Sequence, residues 1–224
     1  MTVTTHNYDS ATIGATVNAA DAADLNTVTG SPEYTHGLSG AVAVRFPDAT
    51  ADYLRYDGPT TDYSGCLVFR VDAAPASGAL RVVTLRDNLN GDLSQFRVDS
   101  DGTFKITNIS TANGVSMGSW TLGEVYLLQW QLNDTAETVT WRITSMVAGS
   151  SYTEGVADFS AWAGANPARL YVGGPGTSSA CEFVADTLIH DDNASLSWLA
   201  TSALRTGLFR YDATTKDEIP VAIS

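Results

Sequence analysis

The feature that most constrains this chain is a period-two alternation of apolar and polar residues, which recurs in short runs along most of its length. In AVAVRF, Val42, Val44 and Phe46 fall on one side, and CLVFRV at 66–71 repeats the pattern. Successive side chains of a strand point to opposite faces, so each such run predicts a strand. The runs are separated by turn-rich segments, and strands do not alternate with helices as a parallel sheet requires. The sequence predicts ten to twelve strands in a sandwich or barrel, with a two-sheet sandwich favoured.

Two hairpins are the clearest local predictions. The first covers residues 95–107, where an SDG turn joins two alternating runs and Gly102 can take the positive φ that the turn needs. The second covers residues 125–143, where NDTAE turns the chain. Trp130 and Trp141 lie on its paired strands and could form a sugar-stacking platform. The favoured interpretation is that both are large inward residues of a half-buried sheet.

Helix is predicted in two places. Residues 195–206 carry a stripe of Leu and Ala, with Ser195 or Asn193 as a cap at the start and Gly207 just past the end. Near the N terminus, one helical turn is expected with Asn18 as its cap. Both are short, so the chain stays all-β in class.

The net charge indicates which partners are unfavourable, and the positions of the cysteines bear on whether a disulfide forms. A net charge of −13 repels the phosphates of nucleic acids and anionic membranes, so we expect no nucleic-acid partner. No apolar run approaches the ~18 residues of a membrane span, and no signal peptide is evident, so no membrane insertion is expected. Cys66 and Cys181 lie far apart in sequence. Buried free thiols are the favoured interpretation, with a disulfide as the alternative.

No constellation of residues predicts an enzyme. The glutamates do not cluster, and the E-x-D-x-x-E pattern of sandwich-fold glucanases is absent. Asp99 and Asp101 are two residues apart but straddle a turn, which favours solvated turn residues. No histidine pattern predicts zinc, and no G-x-S-x-G elbow predicts a nucleophile. We therefore predict no catalytic, cofactor-binding or metal residues.

One segment, Asp87-Asn88-Leu89-Asn90-Gly91-Asp92, offers several hard oxygen ligands of the kind that calcium prefers. It misses the EF-hand register, because Arg86 stands two positions before Asn88 where an acid is needed. An Asx-rich turn between strands is the favoured interpretation. Calcium at residues 87–92 is the alternative, and no other cofactor is expected.

The succession of strands resembles the laminin-G-like, or concanavalin A-like, jelly roll over residues 7–196. The segment WTLGEVYLL at 120–128 is similar to the family's turn into its central strand. LYVGG at 170–174, and FVADTLIHDDNASL at 183–196, resemble its last two strands with their polar turn and Leu. Residues 7–44 resemble the opening of such domains in tail and virion proteins of phages infecting actinobacteria.

This resemblance implies a two-sheet antiparallel jelly-roll domain at residues 1–207 with one short C-terminal helix. Residues 208–224 are predicted to form a hairpin or a docking arm. The implied role is a structural virion protein of a bacteriophage, in the tail or decorating the capsid, assembled in the host cytoplasm. Its partners would be other virion proteins or copies of itself, with host-surface carbohydrate as a candidate ligand. A glycan hydrolase or lyase on the same sandwich, and a bacterial carbohydrate-binding module, are the alternatives.

Overall fold

The computed structural model of this chain describes thirteen segments, and all structural statements below concern these residues. The described segments are 3–6, 11–21, 25–38, 42–47, 52–57, 63–107, 114–133, 135–146, 152–158, 167–174, 181–191, 209–212 and 217–220. They hold seventeen strands and one short 3₁₀ turn.

Two antiparallel sheets account for fifteen of these strands. The first sheet contains β1 (Val3–His6), β3 (Glu33–His36), β4 (Val42–Phe46), β6 (Tyr63–Ala73), β11 (Val125–Asn133), β12 (Thr138–Ser145), β13 (Tyr152–Asp158) and β15 (Glu182–Asp191). The second sheet contains β2 (Leu25–Thr29), β5 (Tyr53–Asp57), β7 (Ala79–Arg86), β8 (Asp92–Asp99), β9 (Thr103–Thr107), β10 (Val115–Ser119) and β14 (Arg169–Gly173). The predicted all-β, two-sheet antiparallel sandwich is confirmed, but ten to twelve strands was too few. Short strands such as β10 and β13 bury so few residues that their alternation is weak in the sequence.

Strands distant in sequence lie side by side in both sheets. The eight-stranded sheet has the order β13-β12-β11-β6-β15-β4-β3, with β1 also paired to β15. The seven-stranded sheet has the order β10-β9-β8-β7-β14-β5-β2. The central pairs β6–β15 and β7–β14 are therefore made by crossovers that no local pattern predicts.

The main core fills the space between the sheets. Its largest fully buried side chains include Trp130, Tyr56, Tyr63, Phe46, Phe69, Phe96 and Phe183. In β6, Leu67 and Phe69 point into this core, whereas Cys66 and Val68 belong to a second apolar cluster on the opposite face of the sheet. The middle of the eight-stranded sheet is thus buried on both faces.

Both predicted hairpins are confirmed. Strands β8 and β9 pair around Gly102, whose φ is +85°, and β11 pairs with β12 in a register that sets Trp130 opposite Trp141. Both tryptophans lie in the core with 0% and 2% of their surface exposed. The interpretation of inward-facing tryptophans is therefore confirmed, and neither ring is a surface platform.

The terminal predictions have mixed outcomes. The turn near the N terminus is confirmed as a 3₁₀ turn at Ala19–Asp21, where Asn18 Oδ1 accepts a hydrogen bond from the Ala20 N–H at 3.0 Å.

The predicted helix at 195–206 lies outside the described residues. Within 208–224, β16 (Phe209–Asp212) and β17 (Asp217–Pro220) pair antiparallel as one hairpin. A docking role for it, and the domain boundary at residue 207, stay predictions.

Both cysteines are free and buried, as predicted. Cys66 lies opposite Ile189 across the β6–β15 pair, whereas Cys181 immediately precedes β15. Eight residues of strand rise by about 26 Å, so the two thiols are far beyond bonding distance. Burial raises the pKa of the Cys66 thiol to about 12. No helix of the described segments is long and apolar enough to cross a membrane.

Candidate functional site

The outer face of the seven-stranded sheet is the candidate site, because polar and charged side chains from five of its strands lie together there. Strand alternation sends every second residue of β5, β7, β8, β9 and β14 away from the core. We call this surface the polar face. Its main side chains are Tyr53, Arg55, Asp57, Arg81, Thr84, Arg86, Asp92, Gln95, Arg97, Asp99, Lys105, Arg169 and Tyr171.

The polar face is ordered first by pairs within single strands. In β5, Arg55 Nη2 donates to Asp57 Oδ2 at 3.0 Å, and in β8, Arg97 Nη2 donates to Asp99 Oδ2 at 3.0 Å. Residues two apart on a strand share a face, so the Arg-x-Asp spacing brings each pair together. These pairs hold the guanidinium groups in fixed positions above the sheet.

Two arginines of β7 share one carboxylate at the centre of the face. Asp92 accepts hydrogen bonds from Arg86 and, at 3.2 Å, from Arg81, while Gln95 donates to it at 2.7 Å. Burial lowers the pKa of Arg81; Asp92 opposes this shift, and the positive charges of Arg86 and Arg97 add to it. Burial is the largest of these effects.

Asp99 and Asp101 flank one ammonium group at the end of the face. Lys105 Nζ lies 2.7 Å from Asp99 Oδ2 and 2.8 Å from Asp101 Oδ2. The prediction that both acids are solvated is wrong for Asp99, which is buried, because Arg97 and Lys105 pair with it. Asp101 is exposed as predicted, and hydrogen bonds from Lys105 and Thr103 lower its pKa to about 2.

We expect a carbon-detected titration to give Asp101 a pKa near 2 in the native protein. Because the folded pKa lies below the ordinary value of 3.8, the ion pair stabilises the fold above that value and is lost as the pH falls towards about 2. In Lys105→Gln, the Asp101 pKa should move up towards its ordinary value. A native Asp101 that titrates near 4, unchanged by this substitution, would contradict the ion pair.

An aromatic pair occupies the other half of the face. The rings of Tyr53 and Tyr171 lie 5.3 Å apart, and the Arg86 guanidinium stands 4.8 Å from the centre of the Tyr171 ring. The Tyr171 hydroxyl lies 3.4 Å from Asn90 Oδ1, which also accepts a hydrogen bond from Arg169. Among the described residues, Arg169 bonds to this neutral amide and makes no ion pair.

The 87–92 segment borders this aromatic half and folds as an Asx-rich turn. Asp87 Oδ1 accepts hydrogen bonds from the N–H groups of Leu89 and Gly91 at 2.8 and 2.6 Å, and Asn90 has a φ of +68°. The favoured turn interpretation is confirmed. In the described segments no three His, Cys, Asp or Glu side chains are grouped as metal ligands. Calcium at this loop remains an untested alternative.

Charge on the polar face differs from that of the whole chain. Among the described residues, the polar face holds six of the chain's twelve Lys and Arg residues and three of its twenty-five Asp and Glu residues, with Asp87 and Asp101 at its borders. The basic members are Arg55, Arg81, Arg86, Arg97, Lys105 and Arg169, and the acidic members are Asp57, Asp92 and Asp99. A chain with a net charge of −13 thus presents a face with a local excess of positive charge.

This site was not predicted from the sequence. The signal that could have found it is the repeated Arg-x-Asp spacing in YLRYDG, FRVDA and FRVDS, which predicts fixed ion pairs on strand faces. The second example, Arg70–Asp72, lies instead on the buried outer face of the other sheet. Spacing alone therefore predicts the pairs but not which of them share a surface.

Comparison with known proteins gives the fold. No family model and no curated protein matches this chain. A sialidase from Trypanosoma rangeli in complex with sialic acid is similar over 89% of this chain, with a TM-score of 0.53 and 14% identity. A second sialidase matches 80% of the chain with a TM-score of 0.55 and 11% identity. The lectin UEA-II complexed with galactose matches 84%, with a TM-score of 0.52 and 12% identity.

The extent of these matches differs. The chain spans 36% and 18% of the length of the two sialidases, but its match covers 97% of the lectin. At such identities the likeness shows the fold alone, a jelly-roll-like sandwich as the sequence predicted. These structural neighbours include enzymes and a lectin, so the fold is compatible with both kinds of function.

Proposed function

We propose that this chain is a non-catalytic glycan-binding domain that holds an acidic polysaccharide on its polar face. The observation that carries the proposal is the concentration of basic side chains on this face, where a single carboxylate, that of Asp92, is shared between Arg81 and Arg86. A bound anion would give these guanidinium groups a second acceptor. The complementary charge of a uronic-acid chain is therefore the ligand property that this face fits best.

The remaining groups of the face fit a sugar chain. Guanidinium groups bind carboxylates with two parallel hydrogen bonds, and Arg55 and Arg97 are held in place for this by their own aspartates. The half-buried ring of Tyr53 supplies aromatic surface beside them, whereas Tyr171 is buried, and Asn90 and Gln95 supply amides that bond to hydroxyl groups. Pockets for polar ligands combine such groups.

The catalytic alternative, a glycan hydrolase or lyase, has less support at this face. A hydrolase of the two-carboxylate kind needs one protonated acid and one free carboxylate. Here each acid is held by cations: Asp57 by Arg55, Asp92 by two arginines, and Asp99 with Asp101 by Lys105. The geometry favours binding without cleavage.

The setting of the domain is a separate part of the proposal. Placement in a bacteriophage virion, as a tail or capsid-decoration component beside other virion proteins or copies of itself, rests on the resemblance of residues 7–44 to the opening of such domains in phage tail and virion proteins. A host-surface polysaccharide rich in uronic acids would then be the natural ligand. The alternative setting, a bacterial carbohydrate-binding module, uses the same face in the same way.

Titration calorimetry with polygalacturonate tests the binding proposal. We expect saturable binding to polygalacturonate and none to dextran, a neutral polymer of similar length. Binding should weaken by at least about tenfold between 50 and 500 mM salt, because the ion pairs lie near the surface and are screened. The polymer should keep its length after long incubation with the protein.

Three results would contradict the proposal. Dextran binding as tightly as polygalacturonate would remove the role of charge. Tighter binding to double-stranded DNA than to polygalacturonate would assign the face to nucleic acid. Shortening of the polygalacturonate would restore the enzyme alternative.

A further inference from the structure

A separate cleft opens where the edges of the two sheets meet. Its volume is about 170 Å³, and it lies between β9 and β10 of one sheet and β11, β12 and β13 of the other. Buried apolar side chains form its floor: Phe104, Met117, Tyr126 and Ile143. Polar side chains form its walls and mouth: Ser119, Thr121, Glu124, Ser145 and Thr153. We call this the Glu124 cleft.

Glu124 is the only charged residue that lines this cleft among the residues that the structure describes. Its Oε2 accepts hydrogen bonds from the Tyr126 hydroxyl at 3.0 Å and from the Ser145 hydroxyl at 3.4 Å. Both donors are neutral, and within the described segments Glu124 makes no ion pair and its Oε1 has no donor. A carboxylate offers about four lone-pair sites, so acceptor capacity remains on Oε1.

Tyr126 fixes the carboxylate in position. Its hydroxyl accepts a hydrogen bond from the Thr121 N–H at 2.8 Å and donates its own proton to Glu124. Burial, together with the negative charge of Glu124, raises the pKa of Tyr126 to about 12, so the donor stays protonated at neutral pH. The ring packs edge-on against Phe104 at 4.8 Å between ring centres. The acceptor is thus held rigidly above an aromatic floor.

We infer that the Glu124 cleft binds one uncharged sugar ring. A sugar ring has hydroxyl groups for Glu124 Oε1 and for the polar walls, and C–H groups for the small part of the apolar floor that the cleft exposes. The cleft is smaller than the pockets of roughly 300–1,000 Å³ that hold drug-sized ligands, so it admits a single ring and not a long segment of chain. An acidic sugar is disfavoured, because Glu124 has no cation beside it to offset a second negative charge.

This site is independent of the polar face. It lies at the β10–β13 edge and uses none of the arginines proposed to bind an acidic polymer. The polar face is proposed to select an acidic ligand and the Glu124 cleft an uncharged one. Failure of one therefore leaves the other standing, and each can be tested on the full chain with its own probe.

Amide chemical shifts in the full-length protein test the inference, with methyl glycosides of glucose, galactose and mannose as neutral probes. We expect at least one probe to shift the amides of Ser119, Thr121 and Thr153 saturably. Sodium glucuronate should shift them less. Glu124→Gln should weaken the binding by at least about tenfold, since a hydrogen bond to a charged acceptor is lost.

Two further variants make the test specific. Thr153→Tyr fills the exposed mouth and should abolish the shifts without touching the core. Glu154→Gln is the matched control, because this neighbouring carboxylate pairs with Arg142 at 2.8 Å outside the cleft, and it should change nothing. The inference is wrong if no neutral glycoside shifts the cleft amides. It is equally wrong if the shifts persist in both Glu124→Gln and Thr153→Tyr, or if only a cationic sugar such as glucosamine binds.

Discussion

Replacing Trp130 with alanine should lower the free energy of unfolding by about 3–5 kcal/mol, the usual effect of removing a buried tryptophan. Trp130 is fully buried and packs against Phe96 at 5.7 Å between ring centres. It also covers Gly65 of the neighbouring strand, where a Cβ added to the glycine would stand 2.4 Å from Trp130 Cζ2. The indole fills this space between the sheets, so the substitution leaves a cavity there.

Urea denaturation of Trp130→Ala and of three further variants checks this prediction. Tyr152→Ala removes an aromatic ring that is 51% exposed and contacts Arg142, so it should cost less than about 1 kcal/mol. Gly65→Ala should destabilise the native protein because the indole must move. The same change should be less harmful in the Trp130→Ala background, since the two residues share one space. If Trp130→Ala lowered the free energy of unfolding by less than about 1 kcal/mol, the core would not depend on this residue.

Replacing Asp72 with alanine should be about as damaging, with a loss of about 3–5 kcal/mol. Arg70 Nε and Nη2 donate to the two Asp72 oxygens at 2.6 and 2.9 Å, and both side chains are almost completely buried. Without Asp72 the buried guanidinium loses the carboxylate that accepts these two hydrogen bonds. Burial raises the pKa of Asp72, and Arg70 opposes this shift without cancelling it. The pair therefore exists at a large desolvation penalty.

The double variant Arg70→Met with Asp72→Leu removes both charges of the pair. Comparing it with Asp72→Ala shows whether the loss of stability comes from the missing ion pair or from the guanidinium that stays buried. Because no buried charge remains, we expect it to be within about 1–2 kcal/mol of the native protein and well above Asp72→Ala. Thermal and urea unfolding both measure this order. If Asp72→Ala and the double variant were equally unstable, burial of an uncompensated charge would not be the cause.

The alternation of apolar and polar residues within single strands predicts much of the fold. The alternation in AVAVRF and CLVFRV predicts the faces of β4 and β6, and Gly102 marks the β8–β9 turn, as the structure confirms. Trp130 and Trp141 were placed correctly because large aromatics on paired strands are usually inward. Local pattern could not reveal that β6 pairs with β15, since about half of the chain separates the two strands.

The polar face shows why the candidate site was harder to predict. Its groups come from β5, β7, β8, β9 and β14, and Arg169 reaches Asn90 only because β14 crosses over to lie beside β7. Asp99 was assigned to solvent because it precedes a turn, but Arg97 and Lys105 cover it. In both cases the neighbours that decide the outcome are brought close by strand pairing, which spacing within one strand does not specify.

Two charge-matched variants test the central claim, that the polar face binds an acidic polysaccharide. Arg97→Gln with Arg169→Gln removes two charges from the face, whereas Arg45→Gln with Arg142→Gln removes two from the other sheet. Both variants have the same net charge, so a difference between them reports position alone. We predict that the first loses polygalacturonate affinity by at least about tenfold, as expected for two charged hydrogen bonds, and that the second binds like the native protein. Equal losses in both variants would contradict the claim.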